Sequence, residues 1–282
     1  MSIIKRVLSY IVISCLLLSF SGCGKQQADK PIVVLGPMEC EYAYLADRLE
    51  NRTQSTAGNF TIYEGTIENY PVVVINCLVG MVNAASAATY AIDNYNPEFV
   101  IMQGTSGSHN ADLYQHDIVL GADCVNMIRY NSPHRDAGEG SKITDWDYKG
   151  TEMLVDGEVQ ELSVLHSDDA LLSLAADIPY EYGKVVRGTI GTSDAWNKEI
   201  DLINYFHETL GTDCEEMENF SVAQVCKQFG VPFLGVRVIS NGELHPQETF
   251  TAESGEHCQE YVLNIMKEWI SKTRSAGSIF RK

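Results

Sequence analysis

Residues 231–240 read VPFLGVRVIS. The run is short, apolar and rich in β-branched side chains, which predicts a strand. It follows at once on 218–229, ENFSVAQVCKQF, whose apolar residues recur at helical spacing. A helix feeding a buried strand is the alternation from which α/β folds are built.

The same alternation runs outward from this point. Residues 31–36 (PIVVLG) predict a strand, 41–50 a helix, and 60–67 and 72–77 two strands flanking a turn at 68–71. MVNAASAATYAIDNY (81–95) is Ala-rich and helical. EFVIMQ (98–103) is a strand ending in Gly104, and DIVLGADC (117–124) another. Residues 131–165 are polar and irregular and predict a long insertion or loop over one end of the sheet. The pattern resumes with a strand at 184–191 and a helix at 197–210. It ends with a helix at 256–272 that buries Val262, Ile265, Met266, Trp269 and Ile270. The expected fold is a single α/β domain over 31–282, with a central mixed β-sheet flanked by helices.

The chain has 282 residues, 45% of them hydrophobic, and a formal net charge of −18. That length supports one large core. The charge argues against nucleic acid as a partner, which needs a basic surface. The first residues have a different character. Lys5 and Arg6 precede an apolar run from Val7 to Phe20, too short to span a bilayer and suited to a signal peptide. Phe20-Ser21-Gly22-Cys23 then resembles a lipoprotein processing site. The expectation is a signal peptide at 1–22, lipidation of Cys23, a polar tether at 23–30, and a lipid anchor on the extracytoplasmic face of the cell membrane. The six remaining cysteines show no paired spacing and read as small core residues, although an extracytoplasmic compartment permits a disulfide.

Five stretches carry candidate chemistry. GPMECEY (36–42) follows a strand, where open α/β sheets bind ligands. By pattern alone its Glu39 and Glu41 are solvated helix-start residues. QGTSGSH (103–109) offers glycines and hydroxyls for close backbone approach, or a plain tight turn. TSDAWN (192–197) places Trp196 as a stacking plate or as a core aromatic. EEMENF (215–220) reads as an acidic helix start, favoured by the helix dipole. RVISNGE (237–243) sets Asn241 just past a strand, as a ligand-reading amide or as an ordinary Asn-Gly turn.

Taken in order, these motifs and VGMVNAASAA resemble the purine nucleoside phosphorylase/uridine phosphorylase superfamily. Within it they are most similar to the methylthioadenosine/S-adenosylhomocysteine nucleosidases, over about residues 32–270. The resemblance implies that Glu41 activates the attacking water and that Met217 and Glu218 bind the ribose. It implies that Met38, Thr105, Ser106 and Gly107 line the substrate site, that Trp196 stacks on the base, and that Asn197 presents backbone groups to the base edge. Glu215 and Glu216 fall into supporting roles. Neither a cofactor nor a metal is implied, and a homodimer is.

Two departures stand out. The nucleosidases place an aspartate where this chain has Asn241, and an amide can donate a hydrogen bond to the purine N7 without being an acid. Asparagine in the comparable role suits 6-oxopurines, so a 6-oxopurine nucleosidase is an alternative, as is a nucleoside-binding lipoprotein without catalysis. The phosphorylases carry an arginine where this chain has Met102, and without such cations phosphate loses its charge-assisted hydrogen bonds. Water is therefore the expected nucleophile.

Overall fold

The computed structural model describes residues 29–279. The expected signal peptide and Cys23 lie outside them. The main sheet has ten strands: β1 (Ile32–Gly36), β2 (Glu50–Ala57), β3 (Phe60–Ile67), β4 (Tyr70–Asn76), β5 (Phe99–Ser108), β6 (Ile118–Asn126), β7 (Leu165–His166), β8 (Val185–Thr192), β9 (Thr212–Glu216) and β10 (Phe233–Asn241). The helices are α1 (Glu39–Ala46), α2 (Met81–Tyr95), α3 (Asp169–Ala176), α4 (Ile200–Leu210), α5 (Asn219–Phe229) and α6 (Ala252–Ile279). None of them is long and apolar enough to cross a membrane.

The sheet is mixed, as expected. β1 runs parallel to β4 and β5, while β2, β3 and β4 form an antiparallel meander on the far side. β10 pairs in parallel with β5 and antiparallel with β6. β6 pairs with β8, β8 with β9, and β9 returns to β5. Five strands thus close into a ring, and β1 to β4 extend from it as an open wing.

Alternation along buried strands divides the core between the two faces. Ile32 and Val34 of β1 pack with Val262, Met266 and Ile270 of α6 and with Leu45 of α1. Val33 and Leu35 face the other way, onto Ala84, Ala87, Ala88 and Ala91 of α2 and Phe220 of α5. The alanine stripe of α2 is what lets that helix lie close against its neighbours, and a left-handed Asn96 ends it. Five of the six cysteines within the described residues are buried and all six are free thiols, consistent with their reading as core residues.

Several sequence expectations are corrected. The helix expected over 41–50 stops at Ala46, and Glu50–Ala57 is an exposed edge strand. That strand is polar on both faces and carries no hydrophobic period; only pairing with β3 makes it a strand. The strand expected to end at Gly104 continues to Ser108, because β10 and β9 flank it and satisfy its backbone. Residues 131–165 are not simply irregular. They contain a hairpin, Thr151–Val155 with Glu158–Leu162, turning at Asp156-Gly157 with both residues at positive φ. Helix α3, capped by the Asp168 carboxylate, and strand β9 are further elements that the sequence reading did not include.

Candidate active site

β1 pairs with β5 only as far as Leu35 and Met102, yet β5 runs six residues further. A gap opens beside the end of β1, and α1 drops its first turn into it. Gly36 makes this possible: a Cβ there would lie 2.5 Å from the Glu41 carbonyl oxygen. Gln103 holds the same carbonyl with its amide at 2.8 Å. The cavity that results has a volume of about 400 Å³ and lies where β1, β5, β9 and β10 end.

Glu41 is buried at its edge. Its Oε1 accepts from the Thr105 backbone N–H at 2.6 Å and from the Thr105 hydroxyl at 2.7 Å. Its Oε2 accepts from the Met38 N–H at 2.9 Å, reaching back across the first turn of α1. Burial pushes its pKa above the usual carboxylate range, against the pull of Arg237 and of these hydrogen bonds. Glu41 is therefore not the solvated helix-start residue that the pattern suggested.

Arg237, the charged residue within VPFLGVRVIS, is the centre of the electrostatics. It is 1% exposed and pairs with Glu216 and, at 3.2 Å, with Glu218. Its Nη1 donates to the Thr105 carbonyl at 3.3 Å. Burial opposes its charge, but Glu216, Glu218 and Glu41 together hold its pKa above the ordinary value. A cation in an otherwise apolar strand was the signal for this network, since a buried charge must be paired. Its partners lie 19 and 21 positions upstream, outside the strand's own motif.

EEMENF divides its labour between strand and helix. Glu216 ends β9 and serves the start of α5: it accepts from the Glu218 N–H at 2.9 Å and from the Asn219 N–H at 2.8 Å, as well as from the Thr192 hydroxyl. Glu218 lines the cavity. It accepts from the Gly80 N–H at 2.9 Å, and burial lifts its pKa to about 8, with Arg237 pulling down and Glu216 pushing up. Glu41, Glu216 and Glu218 thus surround one guanidinium, so the site carries more potential negative charge than Arg237 balances. Arg237 is the one cation among the residues lining the cavity.

Most of the other expected residues converge here. Met38, Thr105, Ser106, Gly107, Trp196, Met217 and Asn241 all line the cavity. Trp196 is 56% exposed at the mouth, which removes the core reading. Asn241 accepts from the Ser240 hydroxyl through Oδ1 at 2.8 Å, which turns its NH2 into the free donor. Asn197 does not follow the expectation. It is absent from the cavity wall, and both its backbone N–H and its side-chain amide donate to Glu215. Met102 is buried in the core. Besides Arg237, the sequence reading also missed that Glu215, Val79 and Phe250 line the cavity. No cluster of metal-ligating side chains occurs among the described residues.

The mixed sheet, a ring of strands with an open wing, has the nucleoside phosphorylase-like α/β fold, and the carboxylate-rich cavity lies at its strand ends. The model of the phosphorylase superfamily matches residues 31–271, and the chain belongs to that family. A 5′-methylthioadenosine/S-adenosylhomocysteine nucleosidase of Bacillus licheniformis is 30% identical over 244 residues, covering 84% of this chain and 98% of the relative. One from Bacillus pumilus is 29% identical over 247 residues, with the same shares. Among solved structures, the nucleosidase of Neisseria meningitidis in complex with methylthio-immucillin-A superposes with a TM-score of 0.69. It is 25% identical, over 84% of this chain and 99% of that one. Futalosine hydrolase of Helicobacter pylori superposes equally well, TM-score 0.69, at 19% identity, over 85% of this chain and 98% of that one. The fold is thus shared by proteins named for different substrates, and the side chains of the cavity must decide between them.

Proposed function

We propose that this protein is a purine nucleosidase that hydrolyses the N-ribosidic bond of methylthioadenosine- or adenosylhomocysteine-type nucleosides and releases adenine. Glu41 takes a proton from the attacking water, a role suited to a buried carboxylate whose pKa is raised by its burial. As the C–N bond breaks, positive charge develops on the sugar, and the surrounding carboxylates stabilise it. Glu218 accepts hydrogen bonds from the ribose hydroxyls beside Met217. Trp196 stacks on the base at the mouth. Asn241 donates a hydrogen bond from Nδ2 to N7 of the departing purine, which takes its proton from solvent, and the proton that Glu41 removed from water returns to solvent in balance.

One observation carries this reading: Glu41, Glu216 and Glu218 converge on a cavity whose single cation is already paired with Glu216 and Glu218. With that cation already paired, the cavity offers phosphate no free positive charge, which favours water as the nucleophile. Two further features belong to the proposal. Val79, Trp196 and Phe250 are apolar and exposed around the mouth, which supports a homodimer in which the second copy helps to close it. The sequence at 20–23 supports lipidation of Cys23 and attachment to the extracytoplasmic face of the membrane. Sedimentation of the soluble form, and membrane partitioning of the full chain with and without Cys23→Ser, test these two points.

The function is tested by base release from methylthioadenosine and inosine, with and without phosphate, using protein that begins at Lys25. Adenine release independent of phosphate is expected. Release from inosine alone reassigns the enzyme to 6-oxopurine nucleosides. Saturable binding with no release from either refutes hydrolysis and leaves a nucleoside-binding lipoprotein.

A further inference from the structure

Glu215 has no part in the mechanism above. It is 6% exposed, yet it lines the cavity. Asn197 clamps both its oxygens, the backbone N–H to Oε1 at 2.9 Å and Nδ2 to Oε2 at 2.5 Å. His109 lies behind it, 1% exposed and stacked on Phe206, with Nδ1 2.8 Å from the Thr212 hydroxyl. Its Nε2 sits 3.3 Å from Glu215 Oε2 without forming a hydrogen bond. The carboxylate is thus fixed in place from behind and from the side, while the cavity face remains open.

Glu215 sits opposite Gly107 in the β9–β5 pairing, and Gly107 pairs with Asn241 of β10 on its other side. A Cβ on Gly107 would lie 3.9 Å from both Glu215 Oε1 and Asn241 Nδ2. The missing side chain leaves a slot with an acceptor on one wall and a donor on the other. The Ser240 hydroxyl lies nearer Asn241 Oδ1, at 2.8 Å, than the Ser106 carbonyl, at 3.2 Å, and Asn241 Nδ2 is the amide atom that faces the slot. A carboxylate is acceptor-only when ionised, and burying it against a group with no N–H or O–H leaves it unsatisfied. The complementary ligand edge is an acceptor beside a donor. With Asn241 on N7, adenine has that edge, N7 accepting and the neighbouring 6-amino group donating, whereas a 6-oxopurine would turn its O6 acceptor toward the carboxylate.

We infer that Glu215 reads the 6-amino group of the leaving base and sets the base specificity, an assignment that rests on the nucleosidase reading above. Asn241 takes N7 and Glu215 takes N6–H, so one purine bridges the two walls. Bases without an N–H at position 6 leave the cavity face of Glu215 with no partner beyond Asn197, and the site cleaves them less well.

The test compares kcat/KM for methylthioadenosine and for its analogue with hydrogen in place of the 6-amino group, in wild type and in Glu215→Ala. One hydrogen bond to a buried charge corresponds to a wild-type preference for the amino substrate of about 10- to 100-fold. Glu215→Ala is expected to reduce that preference to within about threefold. A second measurement avoids any folding defect in the variant. Wild type should cleave the 6-methylamino analogue, which keeps one N–H, and fail on the 6-dimethylamino analogue, which has none. An unchanged preference in Glu215→Ala, or equal cleavage of hydrogen and amino substrates by wild type, overturns the assignment and leaves the nucleosidase reading intact. Absence of base release from every nucleoside in wild type overturns both.

Discussion

Replacing Arg237 by methionine tests the electrostatic design most directly. Methionine keeps an apolar stem of similar length, so packing loss is small and the charge is what disappears. Glu216 would still hold the N–H groups of Glu218 and Asn219 and the Thr192 hydroxyl. The lost pair with Glu216 sets the baseline, and Glu218, left with only the Gly80 N–H, adds to it once that carboxyl ionises. Breaking a buried ion pair from one side costs about 3–5 kcal/mol. With an m-value of roughly 3 kcal/mol/M, the urea midpoint should fall by about 1–1.7 M. The effect should depend on pH. In the wild type the folded-state pKa of Glu218 is raised to about 8, above its unfolded value. Its contribution to stability is therefore complete below the ordinary glutamate pKa and is lost as pH rises toward 8. Without Arg237 that pKa rises further. The cost of Arg237→Met should then be smaller near pH 6, where Glu218 is neutral in both proteins, and larger at pH 9 by about 1 kcal/mol. Arg237→Met/Glu218→Gln should reduce this pH difference to the part that Glu41 carries. Equilibrium urea unfolding at the two pH values measures all of it. A destabilisation under 1 kcal/mol, or one of equal size at pH 6 and pH 9, would refute the reasoning.

Other perturbations separate chemistry from architecture. Glu41→Gln removes the base and should lower kcat by about 10²–10⁴-fold while leaving nucleoside binding measurable by calorimetry. Since burial raises the Glu41 pKa and the base must be ionised, kcat/KM should rise with pH along a limb above the ordinary carboxylate range, and that limb should be missing from the residual rate of Glu41→Gln. Trp196→Ala should raise KM about tenfold with little change in kcat or in thermal stability, because the ring is exposed at the mouth. Gly104→Ala places a methyl against Arg237 and 2.9 Å from Glu41 Oε1. It should destabilise by about 1–3 kcal/mol and depress activity further than the stability loss explains, as paired melting and rate measurements can show.

Much of the fold was legible in the sequence because most elements carry a hydrophobic period. PIVVLG, EFVIMQ and VPFLGVRVIS are buried on both faces, and the α2 sequence has an alanine stripe at helical spacing. Where that signal failed, the element owed its form to neighbours far along the chain. Strand β2 is polar throughout and exists by pairing with β3. The GTSGS extension of β5 looks like a turn in isolation and is a strand because β9 and β10 lie beside it. The candidate site divides in the same way. Glu41, Met217, Glu218 and Asn241 stand in motifs that a reader can mark, but the pairing of Arg237 joins residues 19 and 21 positions apart and remains invisible until β9 and β10 are placed.

The sequence alone therefore determined the α/β class, the positions of most buried strands and helices, and the motifs from which the family could be recognised. Those properties depend on local periodicity and residue type. Only the tertiary structure decided which carboxylate does what. Glu215, Glu216 and Glu218 are near-neighbours in one short stretch. Yet strand direction and the start of α5 send one to Asn197 and His109, one to backbone N–H groups, and one to Gly80 and the cavity. An acidic side chain has the same chemistry wherever it stands. Its role comes from the donors and the dielectric around it, and residues distant in sequence supply both.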